Sequence, residues 1–385
     1  MTLFNKQFTL CLGFALLLGC DGGEATKPAS TGDDATTPAV EESQVPAQEE
    51  EQVSSNSEGL ERLLELGANF RVDDDGRLVE VNLRGLDIDD STVKLFQDVK
   101  HLRVLLLNDT DITDAAMAEV GKIATLEQLD LRGCAMSNEG LSHLSGLSKL
   151  KALRMLGVNE KGGRGTVDDD GMKHLTGLTN LKALSIDYLD VSGKGLAELA
   201  NAKNLQELYM TKTKVDDDAL AVLQQFPKLK KLRLGGSAIT DAGMAHLKKL
   251  AGLESLDISE CENLSDAGLA QLSEMKPLKK LNLWLVPITD AGVEKLSGLT
   301  NLESLNLDNT ELTDEGLKHL TGLGKLTFLH VGTTDITDAG VAHMAKLGTL
   351  KDLNVSRTKM TDKGFAELQR QLPETKIVTV HPDDK

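Results

Sequence analysis

Apolar residues recur along most of the chain in one pattern, in which a leucine opens each block and apolar residues follow at its fourth and sixth places. Nine blocks have 24 residues, two have 25 and one has 31, and together they run from Leu78 to Glu374. The blocks open at Leu78, Leu102, Leu126, Leu150, Leu181, Leu205, Leu229, Leu253, Leu278, Leu302, Leu326 and Leu350. Apolar residues alternating at the fourth and sixth places predict a short strand with one buried face. Repetition at this period predicts a solenoid whose repeats pack only against their neighbours.

The second half of each block predicts a short helix. In the block that opens at Leu302, the Thr313 hydroxyl can cap free backbone N–H groups, and Asp314 lies at the positive end of the helix dipole. Gly316 allows the helix backbone to approach its neighbours closely, and one buried stripe is formed by Leu317, Leu320 and Leu323. The strand half should bury Leu302, Leu305 and Leu307. The same strand should expose four side chains to solvent, those of Glu303, Ser304, Asn306 and Asp308.

The pattern L-x-x-L-x-L-x-x-T/C-x-I resembles the leucine-rich repeat, and the continuation Thr-Asp-Ala-Gly-Leu-x-x-Leu resembles its cysteine-containing and ribonuclease-inhibitor-like subclasses. The resemblance covers about three quarters of the chain. It implies an α/β solenoid, a horseshoe with a concave parallel β-sheet and convex helices, that recognises proteins through its concave face. Residues 58–77 predict an N-terminal cap and residues 375–385 a capping strand and tail, because terminal repeats must hide their outer faces.

The N-terminus predicts an export signal. Residues 1–19 carry one positive residue, Lys6, and an apolar run that is shorter than the about 20 residues needed to span a bilayer. The run ends in Leu-Leu-Gly before Cys20, which resembles the lipobox of bacterial lipoproteins and implies lipidation of Cys20; a plain secretory signal is the alternative. Residues 20–57 would then be the lipidated cysteine and a disordered acidic tether. The chain is expected in the cell envelope, lipid-anchored to a bacterial membrane and facing the periplasm or the exterior.

Charge and motif content narrow the class of function. Lys and Arg number 42 against 60 Asp and Glu, so the net charge is -18 and a nucleic-acid partner is not expected. For the same reason, we expect membrane contact through the lipid anchor only. The eight histidines form no catalytic set, and no G-x-S-x-G, H-E-x-x-H or paired-carboxylate pattern is present. We therefore expect neither an enzyme nor a cofactor.

Acidic triplets and cysteines have simple explanations. Residues 73–75, 168–170 and 216–218 are aspartate triplets, but EF-hand spacing around Gly76 or Gly171 would place Asn82 or Gly177 where calcium needs a glutamate. No metal site is expected.

The ninth places of two blocks hold the remaining cysteines, Cys134 and Cys261. Five stacked strands would separate them by about 24 Å, too far for a disulfide.

The tryptophan and both tyrosines fall where a partner would bind. Trp284, the only tryptophan, and both tyrosines, Tyr188 and Tyr209, fall on the concave strands or at their exits. Neighbouring strands carry Arg233, Phe328 and His330. Exposed aromatic and arginine side chains often carry binding energy, so these six residues are the predicted partner-binding site. Gly235 and Gly236 are expected to leave a hollow for a partner side chain.

The predicted function is protein–protein interaction through the concave face at the bacterial cell envelope. A passive envelope-structural protein remains an alternative. A glycan or peptidoglycan-binding module is another, because the same strands carry Asn282, Asn306 and Asn354. The one long block inserts residues 160–165 between strand and helix; we expect a flexible surface bulge, and a site for an acidic partner or phosphate is the other interpretation.

Overall fold

The computed structural model describes residues 57–96, 99–160 and 162–380. The predicted signal segment, Cys20 and the predicted tether up to residue 56 lie outside the described residues. So do the last five residues of the predicted tail, 381–385. Within the described ranges, no helix has both the length and the apolar character that crossing a membrane requires.

Within the described ranges, fourteen strands form one sheet in chain order. The pairs are parallel from β2 to β14, whereas β1 runs antiparallel to β2 and covers the first edge. The strands are β1 (Asn69–Val72), β2 (Leu78–Asn82), β3 (Val104–Leu106), β4 (Gln128–Asp130), β5 (Ala152–Leu156), β6 (Ala183–Asp187), β7 (Glu207–Tyr209), β8 (Lys231–Arg233), β9 (Ser255–Asp257), β10 (Lys280–Asn282), β11 (Ser304–Asn306), β12 (Phe328–His330), β13 (Asp352–Asn354) and β14 (Lys376–Val378). Equivalent repeat places lie opposite one another, as Leu281 lies opposite Leu305. The predicted leucine-rich-repeat solenoid is therefore confirmed; the antiparallel β1 was not foreseen.

Short helices lie on the other side of the core. The α-helices are α1 (Ser57–Glu65), α2 (Asp114–Val120), α3 (Asn138–Ser142), α4 (Asp169–Met172), α5 (Gly193–Ala197), α6 (Asp217–Val222), α7 (Asp241–Leu247), α8 (Asp266–Leu269), α9 (Asp290–Lys295), α10 (Asp314–Leu317), α11 (Val341–Met344) and α12 (Asp362–Gln371). The 3-10 helices are Asp90–Phe96, Lys173–Leu175, Leu223–Gln225, Ala270–Glu274, Lys318–Leu320 and Asp338–Gly340. Strands stack about 4.8 Å apart and helices are about 10 Å wide, so the sheet lines the concave side.

The repeated leucines form one continuous core. The predicted inward residues are fully buried, as shown by Leu302, Leu305, Leu307, Leu317, Leu320 and Leu323. The last three are spaced by three because α10 continues as the 3-10 helix Lys318–Leu320, which has three residues per turn. Each buried leucine contributes about 1.5–3 kcal/mol of hydrophobic free energy, and this repeated contribution stabilises helices that are too short to persist alone.

The turn after each strand is built from the eighth and ninth places. Outside the long block, the eighth place is left-handed even when it is not glycine, with a φ of 61° at Tyr188 and 57° at Leu285. At the ninth place, threonine hydroxyls donate to the carbonyl at the sixth place, with an oxygen–oxygen distance of 2.7 Å between Thr310 and Leu307. Cys134 and Cys261 occupy the same place, are buried and are not disulfide-bonded. Burial raises the pKa of the Cys134 thiol to about 11, which leaves it unreactive.

One side chain of the long block reaches back to the preceding repeats. The Arg164 guanidinium donates to the Gly133 carbonyl over 2.7 Å, to Asp111 over 2.8 Å and to the Thr110 carbonyl. These acceptors belong to the turns of the two preceding repeats. Gly163 and Gly165 are buried, although the tip residue Gly162 is exposed. Arg164 is therefore bound to the solenoid, because it donates to three acceptors that lie outside its own repeat.

Candidate functional site: the concave face

The concave face consists of the residues at the third, fifth and seventh places of the repeats. Tyr209 and Arg233 are neighbours at the fifth places of β7 and β8. Phe328 and His330 hold the third and fifth places of β12. Trp284 lies at a seventh place, two residues beyond the end of β10. The sixth predicted residue, Tyr188, lies in the turn after β6 and so borders this face.

Tyr209 and Arg233 form one rigid group with a residue that the sequence did not reveal. The Arg233 guanidinium carbon lies 4.8 Å from the centre of the Tyr209 ring, a cation–π contact. Its Nη2 donates to Asp187 Oδ2 over 2.6 Å, and the same oxygen accepts from the Ser185 hydroxyl over 2.9 Å. Asp187 is 6% exposed, so this buried carboxylate holds the guanidinium in place above the tyrosine.

The phenol end of Tyr209 is also held. Its hydroxyl donates to Glu207 Oε2 over 2.9 Å, and Lys231 Nζ lies 2.7 Å from Glu207 Oε1. Burial by itself would raise the pKa of Glu207, but the hydrogen bonds from Lys231 and Tyr209 and the lysine charge bring it below its usual value. Burial and the bond to Glu207 raise the pKa of Tyr209. This tyrosine therefore remains a neutral hydrogen-bonded platform at physiological pH.

Tyr188 belongs to a different surface. The Lys212 ammonium lies 5.9 Å from the centre of the Tyr188 ring and forms an ion pair with Glu260 over 2.9 Å. All three residues occupy left-handed eighth places, which turn away from the strands. The predicted hollow nearby is filled, because a Cβ on Gly236 would lie 2.7 Å from Lys212 Cγ and one on Gly235 would lie 2.8 Å from Ser259 Oγ. The expectation that these glycines leave room for a partner is wrong.

Trp284 and Phe328 are the exposed apolar residues of the concave face. Trp284 is 36% exposed and Phe328 38% exposed. Three strand spacings, about 14 Å, separate Trp284 from Tyr209. The six predicted residues therefore fall into a Tyr209 group, a group from Trp284 to His330, and the bordering Tyr188. They do not form a single compact patch.

The Trp284 end of the face contains a buried carboxylate that was expected to face solvent. Asp308 lies on the concave side, but it is only 8% exposed. Its Oδ1 lies 3.7 Å from His330 Nε2. The sequence assigned His330 to the site without this partner, since nothing in a repeat pattern shows which polar residues of separate blocks meet.

Candidate metal chemistry is not supported in the parts of the chain that the structure describes. Those ranges hold no group of three or more His, Cys, Asp or Glu residues that could bind a metal ion. Two of the aspartate triplets instead begin helices, where Asp168 accepts from the Asp170 N–H and Asp216 from the Ala219 N–H. These carboxylates cap helices, as their position at the positive end of the helix dipole predicts.

The fold defines the class of protein. Two segments, residues 122–145 and 298–320, match the sequence model of a family described as leucine-rich repeat. The described solenoid has the leucine-rich-repeat fold. No curated protein sequence matches the chain at a significant level.

Several solved structures are similar to the chain. An internalin, InlF, from Listeria monocytogenes is similar with a TM-score of 0.59 at 19% identity, over 85% of this chain and 95% of the internalin. The ectodomain of the plant membrane receptor kinase GASSHO1/SCHENGEN3 from Arabidopsis thaliana, in complex with CASPARIAN STRIP INTEGRITY FACTOR 2, has a TM-score of 0.50 at 18% identity; the match covers 81% of this chain and 40% of the ectodomain. A leucine-rich-repeat protein of Leptospira interrogans has a TM-score of 0.46 at 18% identity, over 74% of this chain and 80% of that protein.

Proposed function

We propose that the chain is a lipid-anchored protein of the bacterial cell envelope that binds a protein partner on its concave face. The observation that carries the binding role is the exposure of Trp284 and Phe328 on this face, which also carries the fixed Tyr209–Arg233 group on other strands. Large aromatic side chains bury much area with little loss of rotamer freedom, and rigid neighbours reduce the entropy lost on binding.

A related structure supports this role. The plant ectodomain with the same fold was solved in complex with CASPARIAN STRIP INTEGRITY FACTOR 2. The anchor and the location are supported by the sequence alone, through the apolar run of residues 1–19 and the lipobox-like residues that end at Cys20. Acylation of Cys20 would hold the solenoid at a membrane without a spanning helix.

The glycan alternative loses its main support in the structure. Asn282 Oδ1 accepts from the Trp284 N–H over 3.2 Å, and the equivalent bond from the Ser356 N–H to Asn354 Oδ1 is 2.9 Å long. Asn306 makes the same contact with the Asp308 N–H over 3.0 Å. The carbonyl groups of these asparagines are therefore used to shape the strand exits, and less of each amide remains for a sugar.

The test uses the full chain as bait in envelope extracts, with captured proteins identified by mass spectrometry. The variant Y209A/W284A/H330A should lose a specific captured protein that the wild type retains. A matched control replaces three exposed residues of the helical side, Lys194, Lys248 and Lys346, with alanine and should retain capture. Circular dichroism confirms that each variant is folded.

The outcomes separate the three functions. Equal capture by wild type and the concave variant would move the binding site away from this face. No specific capture by any variant would favour a passive structural protein. Release of the captured protein by purified cell-wall fragments would favour the glycan-binding alternative. Replacement of Cys20 with serine should release the protein from membrane fractions; retention of that variant at the membrane contradicts the lipid anchor.

A further inference from the structure

Exposed lysines collect on one flank of the solenoid, in the loops that lead from the helices into the strands. The strands from β2 to β14 are parallel, so the loops that enter them lie along the same edge of the sheet. The loops that enter β5 to β10 carry ten lysines against two glutamates, a net charge of +8. We call these ten residues the lysine flank: Lys149, Lys151, Lys182, Lys203, Lys228, Lys230, Lys248, Lys249, Lys276 and Lys279. Lys151 is half-buried and the others are exposed.

The opposite flank of the solenoid has the opposite charge. The loops that leave β6 to β10 carry two lysines against four acidic residues. The helices that follow β7 to β10, which are α6 to α9, each begin with aspartate. The net charge of -18, from which membrane contact through the anchor only was expected, is a sum over the whole chain. It hides a separation of charge that arises because the repeats stack in parallel.

Most of the positive charge on the lysine flank is not neutralised within the fold. Three members have a carboxylate partner among the described residues; they are Lys151 with Glu127, and Lys230 and Lys279 with Glu254. Three more donate only to uncharged oxygens, and these are Lys203, Lys228 and Lys276. The remaining four have no side-chain partner in the parts of the chain that the structure describes, namely Lys149, Lys182, Lys248 and Lys249.

The stability of the fold does not explain this arrangement. A lysine stabilises a helix when it lies in the last turn. Six of the ten instead lie directly beside the leucine that opens a block, beyond the helix ends: Lys149, Lys151, Lys182, Lys228, Lys230 and Lys279. Lys151 and Lys182 hold equivalent places of successive repeats, where the Lys182 N–H donates to the Lys151 carbonyl over 2.7 Å. Like charges on neighbouring strands repel, so this arrangement favours a partner outside the chain.

The composition of the lysine flank favours a lipid surface over a protein or a nucleic acid. Protein interfaces are enriched in arginine and aromatic residues and depleted in lysine, whereas all the basic residues of these loops are lysines. The loops contain one aromatic residue, Phe226, which is 1% exposed and offers no surface for stacking a base. Lysine is a hydrated point charge, which suits mobile headgroups without a fixed geometry. Five strand spacings make the flank about 24 Å long, which matches an extended anionic surface.

We propose that the lysine flank binds the anionic headgroups of the membrane that carries the protein. The inference rests on the proposed membrane location and adds the orientation of the solenoid, with the edge where the strands begin facing the lipid. The negative potential of anionic lipids attracts lysine clusters and decays within a Debye length, about 8 Å at physiological salt. The contact is therefore sensitive to salt. The concave face is formed by the surface of the strands and not by this edge, so it stays open to the protein partner.

Lysine acetylation tests this contact on the full chain. The protein is mixed with vesicles of phosphatidylcholine alone, or of phosphatidylcholine and phosphatidylglycerol in equal amounts, and treated briefly with a water-soluble acetylating reagent. A Cys20 anchor would hold the protein on both kinds of vesicle, so the difference measured by mass spectrometry reports headgroup charge. We expect acetylation of Lys149, Lys182 and Lys249 to slow at least about threefold on the anionic vesicles. Lys194 and Lys363, which are exposed in the first turns of α5 and α12, should not change.

Two variants with the same change of charge locate the contact. K182E/K249E reverses two lysines of the flank, and K194E/K363E reverses two lysines at helix starts. None of these four ammonium groups has a side-chain partner among the described residues. K182E/K249E should at least about halve the protection of Lys149 and Lys228 on anionic vesicles, whereas K194E/K363E should keep it. If circular dichroism shows that K182E/K249E is not folded, K182A/K249A takes its place.

The outcomes separate this contact from other binding. Protection should disappear at about 1 M salt, where the Debye length is about 3 Å. Equal acetylation on the two kinds of vesicle, or equal loss of protection in both variants, would overturn the proposal. Stronger protection by soluble polyglutamate than by the anionic vesicles would mean that the flank binds an acidic protein, and the membrane assignment would be wrong.

Sedimentation of the same mixtures distinguishes the flank from the anchor. Protein that sediments with both kinds of vesicle but shows no protected lysines would contradict the flank and leave the anchor standing. Protein that sediments only with the anionic vesicles, with the flank protected, would support the flank and contradict the anchor.

Discussion

The Asp290 carboxylate binds Thr313 of the following repeat through two hydrogen bonds. The Thr313 N–H donates to Oδ1 over 2.9 Å, and its hydroxyl donates to Oδ2 over 2.6 Å. Since the Thr313 hydroxyl also accepts from the Glu315 N–H, one threonine caps its own helix and joins it to the helix before. The same carboxylate-to-hydroxyl bond recurs along the solenoid in the pairs Asp90–Thr113, Asp114–Ser137, Asp169–Ser192, Asp217–Thr240, Asp241–Ser265, Asp266–Thr289, Asp314–Thr337 and Asp338–Thr361. We call this set the Asp–Thr ladder.

Removing one hydroxyl from the Asp–Thr ladder should destabilise the solenoid. Thr313→Ala loses the helix cap and the bond to Asp290, and we expect a loss of about 1–2 kcal/mol in the free energy of unfolding. Thr313→Ser keeps both bonds, as serine does at Ser137 and Ser265, and should lie within about 0.5 kcal/mol of wild type. Urea unfolding measures both variants. Similar losses in alanine and serine would show that the methyl group, and not the hydroxyl, is responsible.

Gly316 should not tolerate alanine, although alanine normally favours a helix. A Cβ at this position would overlap Asp290 Oδ1, the oxygen that holds Thr313. We expect Gly316→Ala to destabilise the protein by about 1–3 kcal/mol through this crowding. At Gly322, where nothing lies within 4 Å of the added carbon, alanine should be tolerated within about 0.5 kcal/mol. Thermal unfolding compares the two variants. If Gly316→Ala stabilised the protein, the Asp–Thr ladder would not be what requires glycine at this position.

Asn138 should be required because its partner is an aspartate. Asn138 Nδ2 donates to Asp168 Oδ1 over 2.7 Å, and the Asp168 N–H donates to Asn138 Oδ1 over 3.1 Å. The hydrogen bond from Asn138 lowers the pKa of Asp168 in the folded protein. Its contribution to the free energy of unfolding is therefore complete above the unfolded pKa of about 4, and it is lost as the pH falls through the lower folded pKa. N138D would place two carboxylates together.

We therefore expect N138D to destabilise the protein by about 0.5–1 kcal/mol at pH 7, since partial exposure screens the repulsion. The deficit should shrink as the pH falls below about 5, where one carboxyl takes up a proton. Melting temperatures of wild type and N138D between about pH 3 and 7 measure this trend. N138A removes the bond without adding charge and should be less destabilised at pH 7; a pH-independent deficit in N138D would refute the charge explanation.

Arg164 should hold the insertion in place. Arg164→Ala removes donors to Thr110, Asp111 and Gly133, and we expect faster hydrogen exchange in residues 157–165 with a loss of about 1–2 kcal/mol in global stability. Arg164→Lys keeps the charge but cannot bind three diverging acceptors, so it should behave like alanine in the exchange measurement. Wild-type exchange in both variants would restore the original expectation of a loop that is independent of the neighbouring repeats.

Local pattern explains which predictions about the fold succeeded. The burial of Leu302, Leu305 and Leu307 and the capping role of Thr313 follow from spacing within one block, which backbone geometry converts directly into a face or a helix end. The left-handed eighth place carried no clear signal, because Tyr188 and Leu285 are not residues that favour this conformation. Their backbone is imposed by the turn that the repeats of 24 or 25 residues share.

The candidate site was only partly accessible from the sequence. Repeat numbering placed Tyr209 and Arg233 on neighbouring strands, which the structure confirms. It gave no indication that Asp187, at a distance of 46 residues in sequence, binds Arg233. It also assigned Asp308 to solvent, because alternation gives the face of a residue and not how deeply its neighbours bury it.

The sequence by itself determined the repeat, the alternation of strand and helix, and the leucines of the core. These features depend on the spacing of apolar residues over a few positions, and the backbone geometry of a strand or helix converts that spacing into a buried face. Only the tertiary structure decided which polar groups meet. The Asp–Thr ladder, the Arg164 contacts and the bond between Arg233 and Asp187 join residues in different repeats. Such contacts depend on the register in which repeats stack and on how much space each neighbour leaves, and a one-dimensional pattern contains neither quantity.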